Sequence, residues 1–279
     1  MKPAPFDYVR PGNLKEASAL LLASDGNAKL VAGGQSLGPM LNLRLVQPSM
    51  LIDIAGLPEL SEVSEDSTEL RIGACVTAAN IEDGRLPLAG APMLPRIAGG
   101  IAYRAVRNRG TIGGSLCHAD PAADWVSTLV ALSAVCEICD AQGKLRRVPV
   151  HKFVTAAFEN ALSPGEILQA VFIPRMPAGA RFSHHKVSRK FGKFAIASGT
   201  VFYNPAQQVL RAVIGATHGR PIVIDNAAEL FGGKPGVGPL RFDAQGALGL
   251  LKANGIQSGA ACQTHIAALQ RAAAEVFAS

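Results

Sequence analysis

Two short segments rich in glycine and hydroxyl side chains constrain this chain more than any other feature. Residues 32–36 read Ala-Gly-Gly-Gln-Ser and residues 111–115 read Thr-Ile-Gly-Gly-Ser, and each ends a run of apolar residues. Glycine lets a backbone approach a ligand closely and adopt positive φ, so that successive amides point at one anion. A helix that begins just after such a loop adds its positive dipole end. One loop suits a single phosphate, and two together suit a diphosphate.

The common nucleotide-binding motifs do not accompany these loops. No G-x-G-x-x-G lies between a strand pattern and a helix pattern, so a standard Rossmann site is not predicted. The later segment Gly232-Gly233-Lys234-Pro235 lacks the spacing and the Ser or Thr of a P-loop and is interpreted as a turn. Each glycine-rich loop taken alone is also compatible with a simple turn.

A serine hydrolase is the alternative hypothesis for the first loop. Residues 34–38 match G-x-S-x-G, the nucleophile elbow, with Ser36 at its centre. Against this hypothesis, only one strand precedes Ser36, and no glycine-rich oxyanion loop lies upstream of it. The second glycine-serine loop would also be left without a role.

Length and composition predict a globular protein of two domains. Of the 279 residues, 48% are hydrophobic and 17% are charged, which does not fit a disordered chain, and domains typically hold about 100–200 residues. The formal net charge is +6, but no zinc-finger spacing or RNA-binding aromatic signature accompanies the basic residues. We expect no nucleic-acid partner, because a small anionic cofactor or an acidic partner subunit accounts for the charge equally well.

The sequence shows no targeting signal. Residues 1–7 lack the apolar core of a signal peptide, and no run of about 18 uncharged apolar residues predicts a membrane-spanning helix. Five cysteines, an odd number, are scattered through the chain, which is typical of a reduced compartment. We expect a cytoplasmic protein without a transmembrane segment.

Residue patterns divide the chain into three regions. Residues 1–60 predict strand, glycine loop, helix and strand, a βαβ unit with a parallel sheet, preceded by a helix over 14–23 that Asn13 caps. Residues 61–176 predict an α+β region with an antiparallel sheet, including a hairpin over 134–150. Residues 177–279 predict a second, smaller domain. We therefore expect a first domain over 1–176, with subdomains 1–60 and 61–176, and a C-terminal domain over 177–279.

More local predictions accompany this division. Asp120 and Pro121 predict the start of a helix that runs to about residue 133, and residues 94–103 predict another. Strands are expected over 194–203 and 209–216, and a helix over 260–278. Trp125 is expected in the core of its helix.

Several reactive or charged side chains are also compatible with structural roles. Cys136 and Cys139 lie three apart in a strand pattern, where they face opposite sides, so buried structural cysteines are expected instead of a metal or cluster site. Arg107 and Arg109 either balance diphosphate charge, hold Asp120 and Asp124, or form a structural salt bridge. No metal site is predicted.

The second loop belongs to a longer string, residues 106–124, which includes Arg107-Asn108-Arg109-Gly110 before the loop. Together with residues 32–37, this string closely resembles the FAD-binding medium subunit of the molybdenum hydroxylases, the carbon monoxide dehydrogenase and xanthine dehydrogenase group. The resemblance extends from Phe6 to the end of the chain and includes residues 42–44, 53–54 and 163–166.

The resemblance implies an α+β fold: a two-part FAD-binding domain of the vanillyl-alcohol-oxidase / p-cresol-methylhydroxylase type, followed by a small C-terminal α+β domain. By matching position, both loops hold the FAD diphosphate, Asp124 binds the adenosine or ribityl side, Leu168 contacts the ring system, Lys186 lies near the flavin and Ala102 makes a further contact. The implied FAD-binding residues are therefore Ala32, Gly33, Gly34, Gln35, Ser36, Leu37, Ala102, Thr111, Ile112, Gly113, Gly114, Ser115, Asp124, Leu168 and Lys186.

The same resemblance implies a place in a larger assembly. It implies a large molybdopterin subunit and a small subunit with two 2Fe-2S clusters as partners, often as a dimer of heterotrimers. It also implies an aromatic residue that shields the flavin near Phe194, where many relatives carry Gly-Asp-aromatic and this chain carries Gly192-Lys193-Phe194. The expected function is an electron-transfer flavoprotein subunit, an oxidoreductase component with no catalytic residue of its own.

Overall fold

The chain begins with a small parallel sheet. The computed structural model describes residues 2–257 and 259–278; Met1, Ser258 and Ser279, which fall inside the predicted domains, lie outside the described residues. The first elements are β1 (Asp7–Val9), α1 (Leu14–Ala23), β2 (Ala28–Val31), α2 (Leu37–Asn42) and β3 (Met50–Asp53). The sheet order is β1-β3-β2, with both pairs parallel.

Local sequence signals explain most of this first unit. Asn13 caps α1 as predicted, because its side-chain oxygen accepts the Glu16 N–H at 2.9 Å. The predicted βαβ unit is confirmed by β2, α2 and β3. Strand β1 was not predicted from the sequence, since three residues carry too little pattern.

The second unit is an antiparallel sheet with helices on it. A 3-10 turn over Pro58–Leu60 precedes it, and its elements are β4 (Val63–Glu65), β5 (Glu69–Gly73), α3 (Ala78–Glu82), α4 (Leu94–Gly99), α5 (Arg104–Arg107), α6 (Ile112–His118), α7 (Asp124–Ala131), β6 (Val135–Cys139), β7 (Leu145–Pro149), α8 (Val150–Phe153), β8 (Val154–Ala156), β9 (Glu159–Asn160) and β10 (Ile167–Pro174). The five-stranded sheet has the order β4-β5-β10-β6-β7, with every pair antiparallel. The predicted hairpin is confirmed by β6 and β7.

Two predicted helices in this unit have different bounds. Helix α7 begins at Asp124 and not at Asp120, because the Asp120 carboxylate accepts the Ala122 N–H at 2.9 Å and closes a turn instead. The helix predicted over 94–103 ends at Gly99, and Ala102 then adopts a left-handed backbone with φ of 43°. Residues 100–102, which follow this break, are part of the candidate site.

The last unit is a four-stranded antiparallel sheet covered by a long helix. Its elements are β11 (Arg181–Val187), β12 (Ala197–Asn204), β13 (Val209–Gly215), β14 (Ile222–Ile224), α9 (Ala228–Phe231), α10 (Ala244–Ala253) and α11 (Gly259–Ala278). The order is β11-β12-β13-β14. Helix α11 lies directly on β12, since a Cβ on Gly199 would stand 2.4 Å from the Leu269 Cα.

Two hydrophobic clusters stabilise the chain. The main core lies between the five-stranded sheet and α6, α7 and α8, and it includes the fully buried Ile112, Leu129 and Phe153. The second cluster lies between β12, β13 and α11. Trp125 is buried in the main core as predicted.

The division at residue 176 stays a prediction, although β10 and β11, on either side of it, belong to different sheets. Among the described residues, no helix is long and apolar enough to cross a membrane.

Candidate functional site

The two glycine-serine loops touch each other. Gly33, just after β2, packs so closely on the backbone before the second loop that a Cβ there would stand 1.9 Å from the Arg109 carbonyl oxygen. A Cβ on Gly110 would in turn lie 3.8 Å from the Gln35 Cγ. The fold therefore brings together two segments about 75 positions apart in the chain, and a side chain larger than hydrogen at Gly33 has no room.

The first loop presents unpaired backbone amides. Within the described part of the chain, the backbone N–H groups of residues 33–37 have no protein acceptor. Gly34 adopts a positive φ of 69°, a conformation that glycine reaches without strain, and Ser36 already has a right-handed helical backbone. Helix α2 starts directly afterwards and adds its N-terminal dipole. This loop offers several unpaired donors to one anion.

The second loop differs from the expectation that its successive amides point at a phosphate. Ile112 N–H donates to the Val76 carbonyl at 3.1 Å, and Gly113 N–H donates to the Ala74 carbonyl at 2.9 Å. Gly114 N–H donates to the Thr111 hydroxyl oxygen at 3.0 Å, which caps α6. That expectation is wrong for these three amides.

Close packing explains the glycines of the second loop. A Cβ on Gly113 would lie 2.4 Å from the Ala74 Cβ, so glycine is needed where α6 crosses the end of β5. The hydroxyl hydrogens of Thr111 and Ser115 are left to donate to a ligand, since neither hydroxyl donates to another group among residues 2–257 and 259–278. The second loop thus offers two hydroxyl groups, one and five positions after Gly110, whose backbone lies beside the first loop.

A buried ion pair joins α7 to β11. Lys186 Nζ donates to the Asp124 carboxylate and to the Gly100 carbonyl, each at 2.8 Å. His184, two positions earlier on the same strand face, lies 3.1 Å from the other Asp124 oxygen and 2.8 Å from the Thr200 hydroxyl. Burial raises the pKa of Asp124, but the His184 hydrogen bond and the Lys186 charge outweigh it, so this pKa lies below its usual value. Two predicted site residues, Asp124 and Lys186, are thus in direct contact.

Arg107 makes a structural salt bridge, one of the three alternatives left open. Its guanidinium binds both oxygens of Glu82, at 2.7 and 2.9 Å. It does not hold Asp120 or Asp124, because Asp120 closes its own turn and Asp124 pairs with Lys186. The Arg107 guanidinium also donates to the Ile101 and Ala102 carbonyls.

Leu168 is a predicted site residue with a buried side chain. It is 2% exposed, lies on β10 and packs in the main core. Its contact with the ring system stays a prediction. Phe194 and Phe191, in the loop between β11 and β12, are by contrast 63% and 74% exposed.

Three residues of this site were not found from the sequence. Glu82 and His184 hold Arg107 and Asp124, and Gly192 packs on the Ala102 carbonyl, which would lie 2.6 Å from an added Cβ. The alternation of His184 and Lys186 along one strand was the only available signal. Glu82 and Gly192 are brought to the site by tertiary structure alone.

The arrangement around Ser36 does not support the serine hydrolase hypothesis. Ser36 follows β2, the edge strand of a three-stranded sheet, and its hydroxyl contacts no histidine or carboxylate in the described part of the chain. The nucleophile elbow needs a base within hydrogen-bond reach. Ser36 instead lies at the N-terminus of α2.

The cysteines have the character of core residues. All five are unpaired, and Cys75, Cys136, Cys139 and Cys262 are buried. Burial raises the pKa of the Cys75 thiol and of the Cys117 thiol to about 12, which keeps both protonated. Among the described residues, no group of three or more potential metal ligands is found.

One open cleft lies elsewhere. It has a volume of about 580 Å³ and is lined by Met93, Arg96, Phe182 and Glu275, among others. Arg96 and Glu275 face each other across it at 3.8 Å. It contains neither glycine loop and no predicted site residue, so it does not define the candidate site.

Comparison with known proteins decides the family. Residues 4–176 match the family described as the FAD binding domain in molybdopterin dehydrogenase. The chain belongs to this family. It is 31% identical over 247 residues to the nicotine 6-hydroxylase medium subunit of Paenarthrobacter nicotinovorans, covering 88% of this chain and 86% of that protein. It is 38% identical over 196 residues to the 6-hydroxypseudooxynicotine dehydrogenase complex subunit alpha of the same organism, covering 70% of this chain and 66% of that protein.

The three-dimensional fold matches solved members of this group over its whole length. A structure of carbon monoxide dehydrogenase from Hydrogenophaga pseudoflava superposes with a TM-score of 0.87 and 28% identity, covering 100% of this chain and 99% of that chain. Quinoline 2-oxidoreductase from Pseudomonas putida 86 gives a TM-score of 0.86 and 30% identity over the same shares. The predicted family and the predicted α+β fold class of an FAD-binding medium subunit are therefore confirmed.

Proposed function

We propose that this chain is the FAD-carrying electron-transfer subunit of a heterotrimeric molybdenum hydroxylase, with the FAD diphosphate held where the two glycine-serine loops meet. The observation that carries the proposal is the contact between Gly33 and the Arg109 carbonyl. It places the first loop, with its unpaired amides, against the backbone that leads directly into the second loop and its hydroxyl groups.

The residues at this point fit the chemistry of a diphosphate. Anionic oxygens accept strong hydrogen bonds from amides and hydroxyls and are stabilised at helix N-termini. The unpaired N–H groups of residues 33–37 and the hydroxyls of Thr111 and Ser115 are such donors. Ala32, Ile112, Gly113 and Gly114 shape the loops, and their contacts with the cofactor stay part of the proposal.

The remaining proposed contacts lie along one connected path. Lys186 touches both Asp124 and Gly100, and Ala102 follows Gly100 by two positions. We place the flavin side of the cofactor near Ala102 and Lys186, and the adenosine or ribityl side near Asp124. Bound FAD supplies the redox chemistry, accepting electrons from a partner's iron–sulfur clusters and passing them to an external acceptor. The chain itself binds, orients and shields the cofactor and supplies no acid or base.

The proposal includes partners and a location. Relatives are called medium subunits or medium chains, which supports a large molybdopterin subunit and a small subunit with two 2Fe-2S clusters; a dimer of such heterotrimers is the finer proposal. The unpaired cysteines support a reduced, cytoplasmic location.

The visible absorption spectrum of the purified chain tests this function. We expect flavin absorption, FAD release on denaturation, and uptake of added FAD by the stripped protein. A colourless chain that takes up no added FAD would contradict the proposal. A fluorophosphonate probe run in parallel separates the alternative, since labelling at Ser36 that disappears in Ser36→Ala would favour a hydrolase.

A further inference from the structure

We infer that Arg107 is a positioning residue, which fixes the backbone of residues 100–102 so that the Ala102 amide can contact the flavin. The inference rests on the proposed function, because it names what holds one of the proposed contacts in place. Arg107 itself does not face the cofactor. It lies behind the segment, with an exposed fraction of 8%.

Residues 100–102 need stabilising contacts because the backbone of Ala102 is unusual. Ala102 has a φ of 43°, a left-handed conformation that residues with a Cβ seldom adopt. Its N–H group donates to no acceptor in the described part of the chain, although the neighbouring Ile101 N–H donates to the Ala98 carbonyl at 3.0 Å. An unpaired amide on a strained turn is suited to a ligand contact.

Arg107 holds this turn from behind by its carbonyl groups. One guanidinium nitrogen, Nη1, donates to the Ile101 carbonyl at 2.9 Å and to the Ala102 carbonyl at 3.1 Å. Both carbonyls therefore point inward, and the Ala102 amide points to the other side. A planar guanidinium can bind two carbonyls and a carboxylate at once, which an ammonium cannot do in the same geometry.

Glu82 fixes the guanidinium in turn. The other nitrogens, Nε and Nη2, bind the two Glu82 oxygens at 2.7 and 2.9 Å. The Arg107 hydrogen bond is the largest influence on Glu82 and lowers its pKa below the usual value, so the carboxylate stays charged. Helix α3 thus anchors Arg107, and Arg107 anchors the turn.

Two further contacts hold the same segment from the C-terminal unit. Lys186 donates to the Gly100 carbonyl at 2.8 Å. Gly192 packs on the Ala102 carbonyl, which would lie 2.6 Å from a Cβ added there. The carbonyl groups of residues 100–102 are therefore all engaged by the protein, which leaves the Ala102 amide as the free polar group of the turn.

Arg104 provides a matched control on the same helix. It also binds Glu82, at 2.8 Å, and it binds Asp83 and the Asn108 side chain. It donates to no carbonyl of residues 100–102 among the described contacts. Its side chain is 47% exposed, against 9% for Arg107. Arg104→Lys removes a guanidinium contact with the same Glu82 carboxylate, together with the two-nitrogen pair to Asp83, without touching the turn.

The experiment compares Arg107→Lys with Arg104→Lys in the full chain. The FAD dissociation constant is measured by titrating stripped protein, and the visible circular dichroism and reduction potential of the bound flavin are measured at saturating FAD. We expect Arg107→Lys to weaken FAD binding about tenfold or more, which corresponds to about 1.4 kcal/mol. We also expect it to change the flavin circular dichroism and potential, while Arg104→Lys matches the wild type in all three.

The outcomes separate this inference from the function on which it rests. If the wild type takes up no FAD, the proposed function fails. If the wild type binds FAD and Arg107→Lys equals Arg104→Lys in affinity and in both flavin signals, the positioning role is overturned. Should Arg107→Lys not fold, Glu82→Gln replaces it, since the amide keeps the volume and loosens Arg107. We expect Glu82→Gln to change the flavin signals in the same direction, and unchanged signals there would overturn the inference.

Discussion

Gly33 and Arg109 meet backbone to backbone, and a Cβ on Gly33 would stand 1.9 Å from the Arg109 carbonyl oxygen. Gly33→Ala must therefore push the two loops apart, because backbone atoms cannot yield as a flexible side chain can. We expect FAD binding to weaken about a hundredfold or more, which is about 2.7 kcal/mol. The ratio of flavin to protein after purification measures this.

Gly38→Ala is the control for that substitution. Gly38 lies in α2, and a Cβ there would have no neighbour within 4 Å. Alanine in a helix is favoured over glycine by about 0.5–1 kcal/mol, so this variant should keep its flavin and lose no stability. Equal flavin content in the two variants would show that loop contact does not matter for binding.

Gly113→Ala is expected to affect stability first. Its Cβ would stand 2.4 Å from the Ala74 Cβ and 2.7 Å from the Ala74 carbonyl oxygen. Overpacking of this kind costs about 1–3 kcal/mol. Chemical denaturation of the stripped protein should show a lower midpoint for Gly113→Ala than for the wild type. An unchanged midpoint would mean that α6 does not depend on this close approach.

The Thr111 hydroxyl has two roles, and a pair of variants separates them from the effect of side-chain volume. Its hydroxyl oxygen accepts the Gly114 N–H at 3.0 Å, and its hydrogen is a proposed phosphate donor. Thr111→Val removes both and should cost about 0.5–2 kcal/mol of stability through the lost helix cap, together with weaker FAD binding. Thr111→Ser keeps the hydroxyl and should behave as the wild type in both measurements. Flavin loss in Thr111→Ser would point to the methyl group instead.

The contact between Asp124 and Lys186 should depend on pH in a defined direction. The Asp124 pKa is lowered in the folded chain, so the stabilisation is fully present above its unfolded value of about 3.9 and is lost as the pH falls through the folded value. Asp124→Asn should cost about 3 kcal/mol near neutral pH, because Lys186 stays buried with half its partners.

Unfolding by denaturant at several pH values checks this. The wild type should lose stability more steeply than Asp124→Asn as the pH falls below about 5. Parallel curves for the two proteins would mean that another carboxylate dominates. Glu159→Gln, on the exposed side of β9, is a suitable control for general charge effects.

Local sequence patterns predicted the elements that local forces decide. The Asn13 cap, the βαβ unit and the hairpin of β6 and β7 follow from short-range signals, and all three are confirmed. The helix start at Asp120 was wrong because the same side chain that caps a helix also closes a turn. Two local structures competed, and only tertiary packing selected one.

Strand β11 shows why other parts of the fold and of the site could not be predicted from the sequence. Its residues Ser183, His184 and Lys186 look unlike a strand, yet they are polar because they bind polar partners on other elements. Likewise the partner of Arg107 is Glu82, from a different helix. The pairing of the glycine loops was predicted from their residues and from the family resemblance, whereas the reason for Gly113 came only from the close packing on Ala74.

The structure of the chain with FAD bound tests the central claim most directly. The proposal predicts phosphate oxygens within hydrogen-bond distance of amides of residues 33–37 and of the Thr111 or Ser115 hydroxyl. It also predicts the Ala102 N–H on the flavin. A diphosphate seated anywhere else, with the amides of residues 33–37 facing only solvent, would contradict it.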